Sequence, residues 1–173
     1  MKLGRFDAAL ECFKKVTREE PNNPDSLYNK ALCFMKKGQH KKAIPDLLSL
    51  TRDHPIINRE VYVSLAMCFV ATGDYTTAVR QISRGLLKFP KYVEGYITRG
   101  QLYNSQQKWD KAIQDFYKAL SFNGSEGGAY MGLAESLVGM GDIRNAVKIL
   151  EQAISCEKTC VQALMRRAHL LFD

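Results

Sequence analysis

Long apolar stretches are missing from this sequence. Of its 173 residues, 46% are hydrophobic and 25% are charged, and no apolar run approaches the ~18 residues that a bilayer-spanning helix needs. Residues 1–7 contain no apolar segment of the kind found in secretory signals. These absences predict a cytoplasmic protein without a membrane span.

Patterns typical of metal sites and disulfide frameworks are also missing. The five cysteines are an odd number, and none belongs to a CxxC pair or to a Cys/His set with metal-site spacing. Cys156 and Cys160 lie four residues apart, but no histidine or second cysteine pair is near them in the sequence. We expect reduced thiols in a reducing, intracellular compartment, with no metal and no cofactor.

A catalytic constellation is not visible either. His40 lies in a predicted turn, His54 lies near a predicted helix end, and His169 has no cysteine or paired carboxylate near it in the sequence. Because a catalytic group needs an orienting partner and a closed pocket, we expect that this chain is not an enzyme. One alternative is a regulatory or targeting domain of an enzyme whose catalytic part lies outside this chain.

The net charge of +7 permits acidic partners, including nucleic acid. Most basic residues alternate with acidic ones along the chain, and the one tight cluster occupies residues 36–42. This cluster has the composition of a turn between two helices, so a solvated turn is its expected role.

A short phrase recurs five times along the chain. Its form is Gly-x-large-x-x-Ala, with Gln in place of Gly in the fourth copy. The first residues are spaced 34, 35, 34 and 34 apart: Gly4, Gly38, Gly73, Gln107 and Gly141. A regular period of this length indicates stacked supersecondary units. The repeat therefore decides the architecture.

Each period contains two apolar stripes at helical spacing, divided by the Gly-centred turn. In the first stripe a large, a small and a large residue recur at i, i+4 and i+7, as in Leu27, Ala31 and Phe34. The small residue lets the two helices of a hairpin approach closely. The pattern predicts an all-α protein of about ten helices, with no strand and no long loop.

This pattern resembles the tetratricopeptide repeat, and the resemblance covers the whole chain. It implies a right-handed superhelical solenoid of antiparallel helix pairs, with the first helices lining a concave groove. It predicts a second helix of a partial first repeat at 1–23, four full repeats at 24–58, 59–92, 93–126 and 127–160, and the first helix of a partial sixth repeat at 161–173.

The resemblance also implies a function, namely a protein–protein interaction scaffold that binds a partner segment in its groove and belongs to a larger tetratricopeptide protein or multiprotein assembly. The predicted groove positions are Tyr28, Leu32, Met35, Glu60, Val63, Met67, Val70, Glu94, Ile97, Gln101, Met131, Glu135, Met165 and His169. Corresponding positions in the same helices are Asp25, Asn104, Gly128, Val138 and Gln162.

Methionine is adaptable and suits surfaces that accept apolar peptides, although these methionines could instead fill gaps between helices. Glutamates flank the expected track of Met67, Ile97 and Met131, so the partner is expected to carry apolar anchors and possibly basic residues. Replacing Met67 and Met131 with glutamate is expected to abolish binding while leaving the melting temperature nearly unchanged.

Glycines 128, 132 and 139 lie on one helix, where they either let a ligand backbone approach or relieve crowding between repeats. The polar residues that some members of the family use are absent. Neither the Lys/Asn/Lys/Arg clamp for an acidic chaperone tail nor an asparagine ladder occurs at the matching positions.

An RNA-binding helical-repeat protein, similar to the pentatricopeptide arrays, is the other alternative. Nucleic acid is the less expected partner, because the aromatic residues occupy core positions and are not interleaved with basic ones.

Local details give further predictions. Asn23, Asp74, Asp142, Ser125 and Thr159 are expected to cap helices, and Pro45 is expected to bend or fray the start of its helix. Cys33 and Cys68 are expected to be buried and reduced. Lys30, Arg99 and Arg167 replace an apolar residue, with their stems packed and their charges in water.

Apolar surface is expected on the last helix around Leu164, Ala168, Leu171 and Phe172. We expect further chain or a partner to cover the terminal repeats.

Overall fold

The computed structural model describes residues 2–53, 58–156 and 161–172, which form ten α-helices. The helices are α1 (Lys2–Glu19), α2 (Pro24–Lys36), α3 (His40–Asp53), α4 (Glu60–Ala71), α5 (Tyr75–Lys88), α6 (Val93–Ser105), α7 (Trp109–Phe122), α8 (Gly127–Gly139), α9 (Ile143–Cys156) and α10 (Val161–Phe172). No β-strand occurs in these ranges. The predictions of an all-α fold and of about ten helices are confirmed.

The chain divides into two compact units, Met1–Lys88 and Phe89–Asp173. Consecutive helices pack against each other within each unit, and the first helices α2 and α4, like α6 and α8, also contact each other. Each unit is therefore a short stack of helical hairpins.

Left-handed residues close the first helix of each hairpin. Gly38, Gly73 and Gly141 have φ angles of 69°, 86° and 82°, and Gln107 adopts 57° at the corresponding position. At each turn the next residue donates its backbone N–H back into the helix at 2.9 Å, as from Asp74 to the Phe69 carbonyl. Glycine suits this position because it lacks the Cβ that makes positive φ unfavourable.

Side-chain caps start several helices as expected. The Oδ1 atom of Asn23 accepts from the Ser26 N–H at 3.0 Å, and Asp74 and Asp142 accept from Thr77 and Asn145 at 2.9 and 3.2 Å. These hydrogen bonds satisfy helix N–H groups that have no partner within the helix.

The prediction for Ser125 is wrong, because α8 begins one residue later. Glu126 is its N-cap and makes no side-chain cap hydrogen bond. The turn is instead held by Asn123, whose Oδ1 atom accepts from the backbone and the hydroxyl of Ser125. Thr159 lies outside the described residues.

The predicted burial of Cys33 and Cys68 is confirmed. Both thiols are free, and Cys68 is fully buried. Burial disfavours the thiolate, so it raises the pKa of Cys33 above its ordinary value and that of Cys68 to about 11. The two residues act as small apolar packing groups.

All three basic residues predicted to reach water form ion pairs, and for Lys30 and Arg99 the partner lies on the second helix of the same hairpin. Lys30 Nζ lies 3.0 Å from Asp46, and Arg99 binds Asp115 through two hydrogen bonds of 2.7 Å. Because these side chains are largely buried, the carboxylates replace the water that the charges would otherwise need. Arg167 is more exposed and pairs with Glu151 at 2.9 Å.

Pro45 lies inside α3, which is continuous from His40 to Asp53. Proline has no N–H, so the Lys41 carbonyl loses its usual helix partner. A bend at this point remains a prediction.

Candidate functional site

Helix α4 has one open face. Its residues 61–66 and Cys68 are buried, whereas Met67 is 52% exposed. Met67 is thus an exposed side chain within the buried stretch 61–68 of α4. Sequence reasoning found this residue from its place in the repeat.

Neighbouring helix α2 contributes to the same unit. The Tyr28 hydroxyl and the Ser64 Oγ lie 3.2 Å apart, which joins α2 to α4. The other predicted residues differ in exposure: Leu32, Met35 and Val70 are half-buried, Glu60 is exposed and Val63 is only 7% exposed. Val63 therefore offers almost no surface to a ligand and serves mainly to support the face.

The second unit presents its predicted residues on α6, α8 and α10. Ile97 and Met131 are half-buried, Met165 is 57% exposed, and Glu94, Gln101, Glu135 and His169 are exposed. Ile97 and Met131 pack against the core of this unit. Glu94 also accepts a hydrogen bond from the Tyr92 hydroxyl at 2.9 Å. Charged and apolar side chains thus occur together on these first helices.

The contact of Met131 with the core corrects one expectation. Glutamate at this position would place a carboxylate against apolar neighbours, at a cost of about 1–3 kcal/mol. The substitution is therefore expected to lower stability as well as binding. Met67 provides the cleaner test, because half of it already faces water.

Asn104 does not belong to an open face. Its Nδ2 atom donates to the Gly132 carbonyl at 3.0 Å, and its Oδ1 atom accepts from the buried Ser136 hydroxyl at 2.7 Å. These hydrogen bonds join α6 to α8. The sequence predicted a polar groove residue, whereas the structure uses it as a buried link between hairpins.

Two of the three glycines on α8 do not provide space for a ligand backbone. A Cβ atom on Gly132 would lie 2.2 Å from the Phe116 ring, and one on Gly139 would lie 2.7 Å from the Trp109 ring. Aromatic side chains of α7 fill this space, so these glycines relieve crowding. A Cβ on Gly128 would have only ordinary contacts, the shortest of them 3.7 Å.

The last helix exposes Ala168 and Leu171, in agreement with the expected apolar surface there. The side chains of Leu164, Gln162 and Phe172 lie outside the described residues, as do His54 and Cys160. In the described part of the chain, no group of three or more His, Cys, Asp or Glu residues could hold a metal ion. Nor does any helix there have the length and apolarity to cross a membrane.

Comparison with known proteins agrees with the hairpin geometry. A tetratricopeptide repeat family model matches residues 1–55 and 64–127, and a second model with that description matches residues 127–159. The chain belongs to the tetratricopeptide repeat family. The helical hairpins and left-handed turns described above are thus the structural features of this repeat.

Tetratricopeptide repeat protein 13 of Homo sapiens is 25% identical over 159 residues, which cover 87% of this chain and 18% of that protein. BBSome complex member BBS4 of Bos taurus is 21% identical over 203 residues, which cover 98% of this chain and 39% of that protein. The chain therefore spans less than two fifths of the length of each of these two relatives.

A crystal structure of a tetratricopeptide repeat protein from Parabacteroides merdae has the same fold. It superposes with a TM-score of 0.84 and 26% sequence identity, covering 98% of this chain and 67% of that one.

Proposed function

We propose that this chain is a protein-binding scaffold whose first helices accept a segment of a partner protein. The exposure of Met67 within the otherwise buried stretch 61–68 of α4 carries this proposal. The side chain has no evident packing role for its exposed half, and tetratricopeptide hairpins offer their first helices to ligands. The face of the first unit includes Tyr28, Leu32 and Met35 on α2.

Burial of the exposed part of Met67 by a ligand would contribute about 1 kcal/mol from apolar area alone. Methionine can also change rotamer to fit different apolar side chains, so the face suits a segment with spaced aliphatic or aromatic anchors. Leu32 on α2 and Val70 on α4 are half-buried, so their side chains would lose little further entropy on contact with a ligand.

The charges on the first helices favour basic residues in the partner. Glu60 is exposed at the start of α4 in the first unit, and Glu94 and Glu135 are exposed in the second. Each unit therefore combines apolar and acidic side chains on its first helices. A segment that alternates apolar anchors with Lys or Arg is complementary to both.

The relatives support a place in a larger assembly. One of them is named as a member of the BBSome complex, and the exposed Leu171 of α10, at 64%, is suited to contact further protein. We propose that a partner or further chain covers α10.

We also propose that the protein acts in the cytoplasm. Its full repeats are proposed to begin at residues 24, 59, 93 and 127, each with one first helix that contributes to binding.

Selection from a phage-displayed peptide library with the intact chain as bait tests the proposal. Selected peptides should carry apolar anchors and basic residues. Met67→Glu should weaken their binding by roughly tenfold, equivalent to 1.4 kcal/mol, because it places a carboxylate where an apolar anchor docks.

Leu87→Glu is the matched control. Leu87 is 84% exposed in the same unit but lies on the second helix α5, so this change should leave peptide affinity within about twofold. Circular dichroism should show equal helicity in both variants. Equal affinities of the two variants would exclude the first-helix face as the binding surface.

A further inference from the structure

Positive charge is concentrated in one of the two units. Residues 1–88 contain 15 Lys and Arg against 9 Asp and Glu, a net charge of +6, whereas residues 89–173 contain 10 against 9, a net charge of +1. The densest part of this excess is the segment 36–42, called here the basic turn. It joins the end of α2 to the first turn of α3.

The basic turn forms one wall of an open recess. Residues 38–42 line it on one side, and Ala71 and Thr72 at the end of α4 line it on the other. Lys41 and Lys42 are exposed. A recess with lysines at its rim can hold a side chain of a ligand while the charges contact its neighbours.

Most of the positive charge in the basic turn has no counter-charge. Lys37 pairs with Asp7, but in the parts of the chain that the structure describes, Lys36, Lys41 and Lys42 form no ion pair. The C-terminal end of α4 contributes a partial negative charge of roughly half a unit. The two lysine charges that line the recess, on Lys41 and Lys42, outweigh it, so we expect the recess to attract anions.

His40, which lines the recess, also has a buried ring nitrogen that lacks a partner. His40 Nδ1 is inaccessible to solvent and forms no hydrogen bond within the described residues, although such atoms usually have one. The Thr72 hydroxyl does not serve this nitrogen, because it donates to the carbonyls of Cys68 and Phe69 at 3.2 and 3.0 Å. A ligand in the recess would supply a partner to this nitrogen only if the His40 ring turned toward it.

We propose that the basic turn binds an acidic segment of a protein partner, separately from the first-helix face. Carboxylates of Asp or Glu would contact Lys41 and Lys42, and one acidic side chain would enter the recess beside His40. A protein segment fits better than single-stranded RNA, because no Phe, Tyr or Trp lines the described recess to stack on bases.

Fluorescence anisotropy with a fluorescein-labelled oligoglutamate peptide and the intact chain tests this site. The Lys41→Glu, Lys42→Glu double variant should weaken binding by roughly tenfold or more, because each reversal replaces an attraction with a repulsion. Acidic residues in the first turn of a helix interact favourably with its dipole. The variant should therefore keep its helicity.

The matched control is Lys15→Glu with Arg18→Glu, which changes the net charge equally at two exposed positions of α1. Its oligoglutamate affinity should fall by less than about threefold, since only diffuse charge is altered. Equal loss in the two double variants would overturn the proposal, as would the absence of peptide binding to the unaltered chain.

Binding of labelled oligouridine and of phosphatidylserine vesicles to the same protein variants tests whether the basic turn prefers RNA or a lipid surface to an acidic protein segment. Tighter binding of either one, with dependence on Lys41 and Lys42, would overturn the assignment to a protein segment. Met67→Glu should not change oligoglutamate affinity, and the lysine reversals should not change the affinity of phage-selected peptides. Failure of one site is thereby distinguishable from failure of the other.

Discussion

The hairpins α4–α5 and α6–α7 each place a glycine against an aromatic ring, but at different positions of the repeat. In α4–α5 the aromatic residue is on the first helix, where Tyr62 packs so closely that a Cβ on Gly85 would lie 2.7 Å from it. In α6–α7 the aromatic residue is Phe116 on the second helix, and Gly100 provides the space on the first. The equivalent pairs are Tyr96 with Ala119 in α6–α7 and Ala66 with Ile82 in α4–α5. Both hairpins thus have a small and a large residue at both pairs of positions, and they differ in which small residue is glycine.

The two hairpins also differ at the position just before the small residue of the first helix. In α4 this position is Leu65, which is fully buried, and in α6 it is Arg99, which is bound to Asp115. The residue of α5 that corresponds to Asp115 is Gln81, which accepts a hydrogen bond from Arg84 at 3.2 Å. An apolar contact and an ion pair therefore fill equivalent space in two hairpins of one chain.

Replacement of one member of the ion pair between Arg99 and Asp115 should cause the largest change in stability among the proposed variants. Asp115→Ile leaves the Arg99 guanidinium without its carboxylate in a largely buried site, and we expect a loss of about 3 kcal/mol in the free energy of unfolding. Chemical denaturation followed by circular dichroism measures this loss.

The double variant Arg99→Leu, Asp115→Ile introduces the pair that α8–α9 carries at the same positions, Leu133 and Ile149. It should recover stability to within about 1 kcal/mol of the unaltered chain, because no charge is left unpaired. A double variant as unstable as the single one would show that the two kinds of hairpin are not interchangeable.

Substitution of the α8 glycines tests whether a glycine is needed where helices approach closely. Gly132→Ala gains roughly 1 kcal/mol of helix propensity, but its Cβ would displace the Phe116 ring. We expect a net loss of about 1–2 kcal/mol. Thermal and denaturant unfolding of Gly132→Ala and of the unaltered chain measure this loss.

Gly128→Ala on the same helix is the control, since its Cβ has ordinary contacts and should stabilise the protein by up to about 1 kcal/mol. Stabilisation by both substitutions would mean that Phe116 moves without cost, and that the space at Gly132 is not needed for packing.

Carboxyl titrations should show the smallest effect, with opposite signs in different aspartates. Burial raises the pKa of Asp46 above its ordinary value, more than Lys30 lowers it, whereas the hydrogen bond from the Thr77 backbone lowers the pKa of the exposed Asp74. Carbon-detected NMR of the side-chain carboxyls measures both.

The contribution of Asp46 to stability is therefore greatest below its ordinary pKa and declines as pH rises to the folded value. That of Asp74 is present above its ordinary pKa and is lost as pH falls to the folded value. Titration of Asp46 below Asp74 would contradict this assignment and would mean that the ion pair with Lys30 outweighs burial.

Much of the fold followed from the repeat spacing. The position of Ala31 and its equivalents in the other repeats predicted the helix contacts, because a small residue at a fixed period has few other roles. Asn23 and Asp74 predicted helix starts because their side chains bond locally. The prediction that Ser125 caps α8 was wrong because Asn123, two residues earlier, holds the same turn through its side chain.

The candidate site was less predictable. Met67 was found because the family places that position on an open face. The same reasoning placed Asn104 and Gly132 there, although hydrogen bonds and Phe116 tie both to neighbouring helices. The His40 recess had no sequence signal beyond its lysines, because Ala71 and Thr72 come from a different hairpin.

The sequence by itself determined the secondary structure, the period of the hairpins and the compositional class of the protein. These depend on interactions between residues a few positions apart, and periodicity records them directly. Only the tertiary structure decided which polar residues are consumed in packing, as Arg99 and Asn104 are, and which, like Lys41, remain available to a ligand. That choice depends on side chains from other helices, whose distances and directions no local pattern encodes.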